Sequence, residues 1–181
     1  MAGSGKSIIS DELVKKGFAY LRFGQIVIDE IKKRGLEINE TNEKTVRGKL
    51  RKKYGMGALA TLNIEKFDEL LKNANVVGDG LYSWTEYKIL KEKYKDKMHV
   101  LAVYAPPEVR YERLENRAQE NDVDLRFRSI PKEKSKSRDY SEIEDIEKGG
   151  PIAMADFTII NMGMVEDVII PLNIFLAKVN T

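Results

Sequence analysis

The stretch Ala2-Gly3-Ser4-Gly5-Lys6-Ser7 constrains the fold more than any other part of the chain. It matches the last six residues of the phosphate-binding loop G-x-x-x-x-G-K-[ST]. Glycines let successive backbone N–H groups converge on one concavity with no Cβ in the way. Lys6 then neutralises the outer oxygens of a polyphosphate, and the Ser7 hydroxyl is placed to ligate Mg²⁺. The run from Ile8 to Lys16 has helical spacing, so the anion also sits on a helix N-terminus. The bland alternative is a flexible Gly/Ser terminus. A helix that starts directly after Gly-Lys-Ser argues against it. The loop comes early, because the first glycine of the motif would stand immediately before Met1. A loop of this kind normally follows a buried strand. The expectation is therefore a sequence that starts at a methionine inside the motif and lacks its first strand.

Composition removes several classes of function. With 181 residues the chain can bury one domain core. It has no cysteine, which excludes disulfides, thiolate metal sites and cysteine nucleophiles and fits a reducing, cytoplasmic setting. Its single histidine, His99, lies in an apolar run, which argues against a histidine metal site or triad. The net charge of +2 is too small to point to nucleic acid. There is no apolar run of spanning length and no signal-peptide pattern, so no membrane partner is expected.

Strand and helix patterns alternate along the chain. Short strands are expected at Phe18–Leu21, Val76–Gly80, Met98–Tyr104 and Asp156–Ile160. Helices are expected over Ser7–Lys16, Gln25–Lys33, Glu43–Lys53, Ala58–Lys72, from the Ser83 N-cap to Tyr94, from Pro106 to about Gln119, and over Glu166–Lys178, kinked at Pro171. This alternation predicts an α/β fold: a mainly parallel sheet with helices on both faces. The chain reads as one domain, 1–181, with a basic helical region at about 36–57 and a polar, lid-like excursion at about 121–150. Ligands of such sheets bind beyond the C-terminal strand ends. Asp79, Tyr104 and Asn161 fall at such ends.

Asp79 in Val-Val-Gly-Asp-Gly is a candidate for organising Mg²⁺ or an acceptor. As a lone Asp-Gly it would be an ordinary turn residue. Arg113 and Arg117 lie four apart on one helix face, and Arg138 lies within the excursion. Phosphoryl transfer needs positive charge over the migrating group, and a closing lid can supply it. A solvated charged face is the bland alternative for each. Arg47 and Arg51, on the basic helix, can hold an acceptor phosphate through a bidentate guanidinium. No aromatic residue interleaves the basic residues before Tyr54, so base stacking is poorly supported.

Several motifs together resemble the nucleoside-monophosphate-kinase-like branch of the P-loop kinases. The chain looks similar to archaeal-type, adenylate-kinase-related proteins often labelled dephospho-CoA-kinase-like. The carriers are residues 2–7, Leu-Arg-Lys-Lys-Tyr-Gly at 50–55, Val-Val-Gly-Asp-Gly at 76–80 and Ala-Pro-Pro-Glu-Val-Arg-Tyr-Glu-Arg-Leu at 105–114. Arg138-Asp139 and Ile-Ala-Met-Ala-Asp-Phe-Thr-Ile-Ile-Asn at 152–161 complete the set. The resemblance implies a three-layer P-loop NTPase fold with a five-stranded parallel sheet in order 2-3-1-4-5. The expected missing strand is the central one, which leaves a gap between the strands at Val76 and Met98.

The same resemblance implies ATP and Mg²⁺ as cofactors and a small, nucleotide-like acceptor as partner. Ala2, Gly3, Ser4, Gly5, Lys6, Ser7 and Asn161 would bind the cofactor, with Ser7 and Asp79 at the metal. Lys6, Asp79, Arg113, Arg117 and Arg138 would be catalytic, and Arg47 and Arg51 would bind the acceptor. The pattern breaks at three places: Gln25 stands for an acid, Val27 and Ile28 replace an arginine, and Tyr82 replaces another. The leading expectation is an ATP-dependent phosphotransferase. A dephospho-CoA kinase is one alternative. A nucleotide-binding regulatory or interaction module with little turnover is the other, favoured by the lost acceptor residues.

Overall fold

A computed structural model of the chain describes residues 1–117, 129–164 and 166–179. Helix α1 (Lys6–Lys15) leaves the loop and leads to strand β1 (Ala19–Arg22). Helices α2 (Gln25–Lys33), α3 (Glu40–Tyr54) and α4 (Ala58–Leu70) follow, then β2 (Val76–Asp79) and α5 (Trp84–Tyr94). A 3₁₀ turn (Lys95–Lys97) precedes β3 (Leu101–Tyr104) and α6 (Pro107–Glu115). The last elements are α7 (Lys132–Glu144), α8 (Gly149–Ala153), β4 (Phe157–Ile160) and α9 (Glu166–Val179).

All strand pairing among the described residues is parallel. β1 pairs with β2 in the register Ala19↔Val76 to Arg22↔Asp79. β3 pairs with β4 from Leu101↔Phe157 to Tyr104↔Ile160. The two pairs form separate two-stranded sheets, with no ladder between β2 and β3 among the described residues. The division falls between the strands where the sequence reading places its gap.

Each sheet has its own core. Around β1–β2, Leu21, Phe23, Val27, Ile31, Val46, Leu59, Phe67 and Leu90 bury together from β1, the turn after it and helices α2 to α5. Phe23 and Phe67 meet edge to face at 5.5 Å, a favoured aromatic geometry. Around β3–β4, Ile9 and Leu13 of α1 pack with Val103, Ile159 and with Val168, Leu172 and Phe175 of α9. β2 joins the two cores because alternate side chains of a strand point to opposite faces. Val76 packs on the first core and Val77 on the second.

Several boundaries differ from those expected. α3 begins at Glu40, because Asn39 accepts a hydrogen bond from the Asn42 N–H at 2.9 Å and so caps the helix early. β3 spans only Leu101–Tyr104. Met98, His99 and Val100, expected in the strand, lie between the 3₁₀ turn and β3 outside any helix or strand, and His99 packs edge-on against Phe175 at 6.3 Å. α6 ends at Glu115, short of the expected Gln119: Asn116 is its C-cap and Arg117 is not helical, while 118–128 lie outside the described residues. The later part of the excursion is helical: α7 packs on α6, and Ser135, Asp139 and Glu142 are buried. α9 runs through Pro171, whose missing N–H would have served the Asp167 carbonyl. Among the described residues, no helix is long and apolar enough to cross a membrane.

Candidate functional site

Residues 2–7 form a compact turn at the start of α1. Gly3 and Gly5 have φ of 75° and 97°, left-handed values that glycine adopts freely. Space requires glycine there as well. A Cβ on Gly3 would stand 2.7 Å from the Arg110 carbonyl oxygen, and one on Gly5 would stand 2.1 Å from Asn161 Nδ2. Ser4 is fully buried, and its hydroxyl donates to the Met1 carbonyl at 3.0 Å.

Two tethers hold the loop from outside. The Asn161 side-chain amide donates to the Ser4 carbonyl at 2.9 Å, and the Asn161 N–H donates to the Tyr104 carbonyl at 2.7 Å. Arg113 donates to the Asn161 carbonyl and to Asn161 Oδ1 at 3.2 and 3.3 Å. The second tether is Arg110, which donates to the Ala2 carbonyl at 3.1 Å and to the Ala105 carbonyl at 3.0 Å. It also pairs with Asp139 of α7, and the Tyr111 hydroxyl donates to the same carboxylate oxygen at 3.1 Å. Arg110 thus ties the loop, the end of β3 and α7 to one another.

The loop opens onto a pocket at the C-terminal ends of β1 and β2. Ala2, Gly3, Gly5, Lys6 and Ser7 form one wall. Among the described residues, six cationic side chains line it (Lys6, Arg22, Arg47, Arg117, Arg138 and Lys148), against two carboxylates, Glu43 and Asp79. Val27, Ile28, Leu59 and Tyr82 add an apolar and aromatic side.

The Lys6 ammonium donates to the Met1 carbonyl at 2.7 Å. Its pKa falls to about 8, first because burial disfavours the charged form and next because Lys148 repels it. Asp79, the last residue of β2, accepts from the Tyr20 hydroxyl at 3.0 Å and stands opposite Arg22 in the register. Behind it, Glu86 takes the N–H groups of Tyr82 and Ser83 at 2.9 and 3.0 Å. Burial raises the Glu86 pKa.

On the far side, Glu142 is shared by two cations. Arg138 Nε reaches one oxygen at 2.8 Å, and Lys148 Nζ donates to the other. Burial works against the Glu142 charge, but Lys148 and Arg138 hold its pKa well below the carboxylate range. Arg47 pairs with Glu43 at 3.7 Å.

Of the residues singled out in the sequence, Ala2, Gly3, Gly5, Lys6, Ser7, Arg47, Asp79, Arg117 and Arg138 line this pocket. Ser4 and Asn161 lie behind its wall. Arg113 is not among the lining residues and holds Asn161. Arg51 does not line it either; its Nε and Nη2 are buried without hydrogen-bond partners. Sequence reasoning missed Arg22, Glu43, Arg110, Glu142 and Lys148. Arg22 carried a usable signal, since it directly follows an expected strand. Glu43 and Glu142 carried one as well, since each stands four residues from a singled-out arginine, Arg47 and Arg138; Arg110 and Lys148 take their roles from Asp139 and Glu142, in a segment read as a polar excursion.

The donor set fits Mg²⁺–nucleotide. Among the described residues there is no cluster of three or more histidine or acidic ligands. Mg²⁺ in kinase-type sites needs no such cage, because it is held by one or two side chains together with substrate phosphates. Ser7 and Asp79 supply a hydroxyl and a carboxylate in the same pocket.

A family model described as an AAA domain matches residues 1–147. The UPF0200 protein of Thermococcus kodakarensis is 37% identical over 169 residues, 92% of this chain and 88% of that protein. The UPF0200 protein of Thermococcus gammatolerans is 38% identical, covering 92% and 85%. The UPF0200/UPF0201 protein of Archaeoglobus fulgidus is 37% identical, over 91% of this chain and 49% of that protein. The chain belongs to this AAA-domain family of P-loop, kinase-like nucleotide-binding domains and to the UPF0200 proteins.

Proposed function

We propose that the protein is an ATP-dependent, Mg²⁺-requiring phosphotransferase whose acceptor is a small, phosphate-bearing, nucleotide-like molecule. The observation that carries this reading is the cation-lined pocket into which the Gly-Ser-Gly-Lys-Ser loop opens. One polyphosphate on the loop would use Lys6 and the loop amides. The remaining cations point to a second anionic group in the same pocket. The resemblance to the nucleoside-monophosphate-kinase-like branch supports the same assignment.

In this reading the Ser7 hydroxyl and the Asp79 carboxylate hold Mg²⁺, which supplies charge neutralisation on the donor phosphates. Lys6 exchanges its bond to the Met1 carbonyl for phosphate oxygens. Arg117 and Arg138 place positive charge beside the transferring group, and Arg47 takes the acceptor anion. Asn161, Arg113 and Arg110 fix the loop and touch no ligand. A hydroxyl acceptor, as in a dephospho-CoA kinase, needs a general base in reach. Asp79 is already hydrogen-bonded by Tyr20, and Glu43 is paired with Arg47, so the carboxylates favour an acceptor that brings its own phosphate oxygen.

The test is calorimetric titration of the protein and of Lys6→Ala with Mg²⁺–ATP, followed by turnover assays over a panel of phosphorylated and unphosphorylated acceptors. Lys6→Ala should lose most nucleotide affinity while keeping its circular-dichroism spectrum. Equal affinity in the two proteins rejects the site. Tight binding without turnover of any acceptor selects the binding-module alternative.

A further inference from the structure

Lys148 is only 4% exposed, yet it sits in the wall of the pocket. A buried ammonium is costly unless its charge is met. Its hydrogen-bonding partner is Glu142, and Glu142 is already neutralised through its other oxygen by Arg138 at 2.8 Å. The three groups therefore carry one positive charge more than they need. The ammonium also lies 4.5 Å from the centre of the Tyr82 ring. Tyr82 closes the turn that begins at Asp79, and its ring packs against Gly80. Lys6 stands near enough for the two ammoniums to repel each other.

The backbone aims Lys148 deliberately. Glu147, just before it, has φ of 55°, a left-handed value that costs a non-glycine residue energy and persists only where its surroundings hold it. The Lys148 N–H donates to the Glu142 carbonyl at 3.0 Å, which closes the turn. Two residues on, Gly150 lies flat on Trp84, where a Cβ would come within 2.8 Å of the indole. A lysine needed only to neutralise Glu142 would duplicate Arg138 and would require neither the strained turn nor a place in the pocket wall.

We infer that Lys148 is a second phosphate-binding cation of this pocket, parked on Glu142 in the free protein and transferred to the polyphosphate held by the loop. The inference rests on the phosphate-loop reading above, and the experiment separates the two. Metal-free inorganic tripolyphosphate is titrated calorimetrically into the full chain and into Lys6→Ala, Lys148→Met and Lys148→Arg.

Lys148→Met should weaken binding by about tenfold or more, as expected for a lost charge-assisted hydrogen bond, and Lys148→Arg should recover most of the loss. If Lys6→Ala weakens binding and Lys148→Met does not, the inference is wrong and the loop reading stands. If the unaltered protein does not bind tripolyphosphate, the loop reading itself fails. Should Lys148→Met unfold, Lys148→Gln, which keeps a hydrogen-bond donor toward Glu142 without the charge and leaves the Arg138–Glu142 pair intact, carries the same comparison. The unaltered protein gives an independent readout: the ¹⁵Nζ resonance of Lys148, assigned by its loss in Lys148→Arg, should move on adding tripolyphosphate. An unmoved resonance overturns the inference.

Discussion

Arg110 and Arg51 both carry guanidinium nitrogens that water does not reach, one in each half of the molecule. Arg110, beside β3 and β4, spends its donors on the Ala105 carbonyl, the Ala2 carbonyl and Asp139. Arg51, on α3 in the β1–β2 half, leaves Nε and Nη2 without hydrogen-bond partners. The contrast extends to the whole site. The outside tethers of the phosphate loop, Asn161 and Arg110, come from the β3–β4 half. The other half contributes Arg22, Arg47, Asp79 and Tyr82, side chains that face the ligand space. In the phosphotransferase reading proposed above, the β3–β4 half is the donor side, tied down before any ligand arrives, and the β1–β2 half, where Arg51 keeps unpartnered nitrogens, is the acceptor side. Gln25, Ile28 and Tyr82, where the chain departs from the kinase pattern it resembles, lie in the β1–β2 half. In that reading, a fixed donor grip beside a changed acceptor side is what a shift in acceptor would produce.

The largest expected effect breaks the satisfied arginine. Arg110→Ala removes one partner of a buried ion pair and leaves the Asp139 carboxylate with the Tyr111 hydroxyl but no cation, which costs about 3–5 kcal/mol. It should also loosen the loop at Ala2. Arg51→Met removes nitrogens that already lack partners, so stability should change by less than about 1 kcal/mol. Urea denaturation of the two variants measures the difference directly. Equal losses would mean that the two halves are satisfied alike and would remove the contrast.

A second prediction asks whether the halves behave as one folding unit. Leu172 of α9 is fully buried in the β3–β4 core, and Leu172→Ala should cost about 2–5 kcal/mol. Trp84, the chain's single tryptophan, lies in the other half, at the start of α5. α1 packs against both β2 and α9, and Val77 extends β2 into the far core. Trp84 fluorescence should therefore report the same shifted urea midpoint as far-ultraviolet circular dichroism. A fluorescence midpoint left in place would show that the β1–β2 half unfolds by itself.

The two halves were also unequally legible in the sequence. The loop could be read because its glycines are needed for backbone shape, a local property. Ser83 could be read because Ser83-x-x-Glu86 is a local capping pattern, and both of its hydrogen bonds are present. α7 could not be read as a packed helix. Its buried face is Ser135, Asp139 and Glu142, spaced i, i+4, i+7 but wholly polar, so a search for apolar periodicity passes over it. Its burial rests on Arg110, 29 residues away, and on Lys148. The partner of Arg113 in the free protein is Asn161, 48 residues on, a contact that no local spacing shows. Long-range ion pairs between polar segments leave no periodic trace, and here they build the donor side.

A smaller effect belongs to the acceptor side alone. The Ser83 hydroxyl accepts the Glu86 N–H at 3.1 Å and donates to the Met56 carbonyl at 3.2 Å. Ser83→Ala should cost about 1 kcal/mol of stability, the usual worth of an N-cap. Tripolyphosphate affinity should stay as it was, since no tether of the loop passes through α5. A large loss of affinity would show that the donor grip depends on the turn behind Asp79.

The smallest expected effect is a pH dependence, and it comes from the one group that serves both sides of the contrast. In the ligand-free protein Lys6 has a pKa of about 8, lowered by burial and by Lys148 and only partly restored by Asp79 and Glu142. Unfolded, it titrates near the ordinary lysine value of about 10.4. Between these values the unfolded chain binds more protons, so the stability of the free protein should rise with pH from about 8 to about 10. Polyphosphate binding runs the other way, because it requires the ammonium. Raising the pH from 7 to 8 takes Lys6 from mostly charged to half charged, and affinity should fall by about twofold from this group. Lys148 and the phosphate oxygens also titrate, so the measurement is the difference between the unaltered protein and Lys6→Arg, whose guanidinium stays charged throughout. The pH slope of binding should be smaller in Lys6→Arg, and its stability should not rise between pH 8 and 10 as that of the unaltered protein does. Identical slopes in the two proteins would mean that Lys6 is not desolvated in the free loop and that the donor side is less closed than its tethers imply.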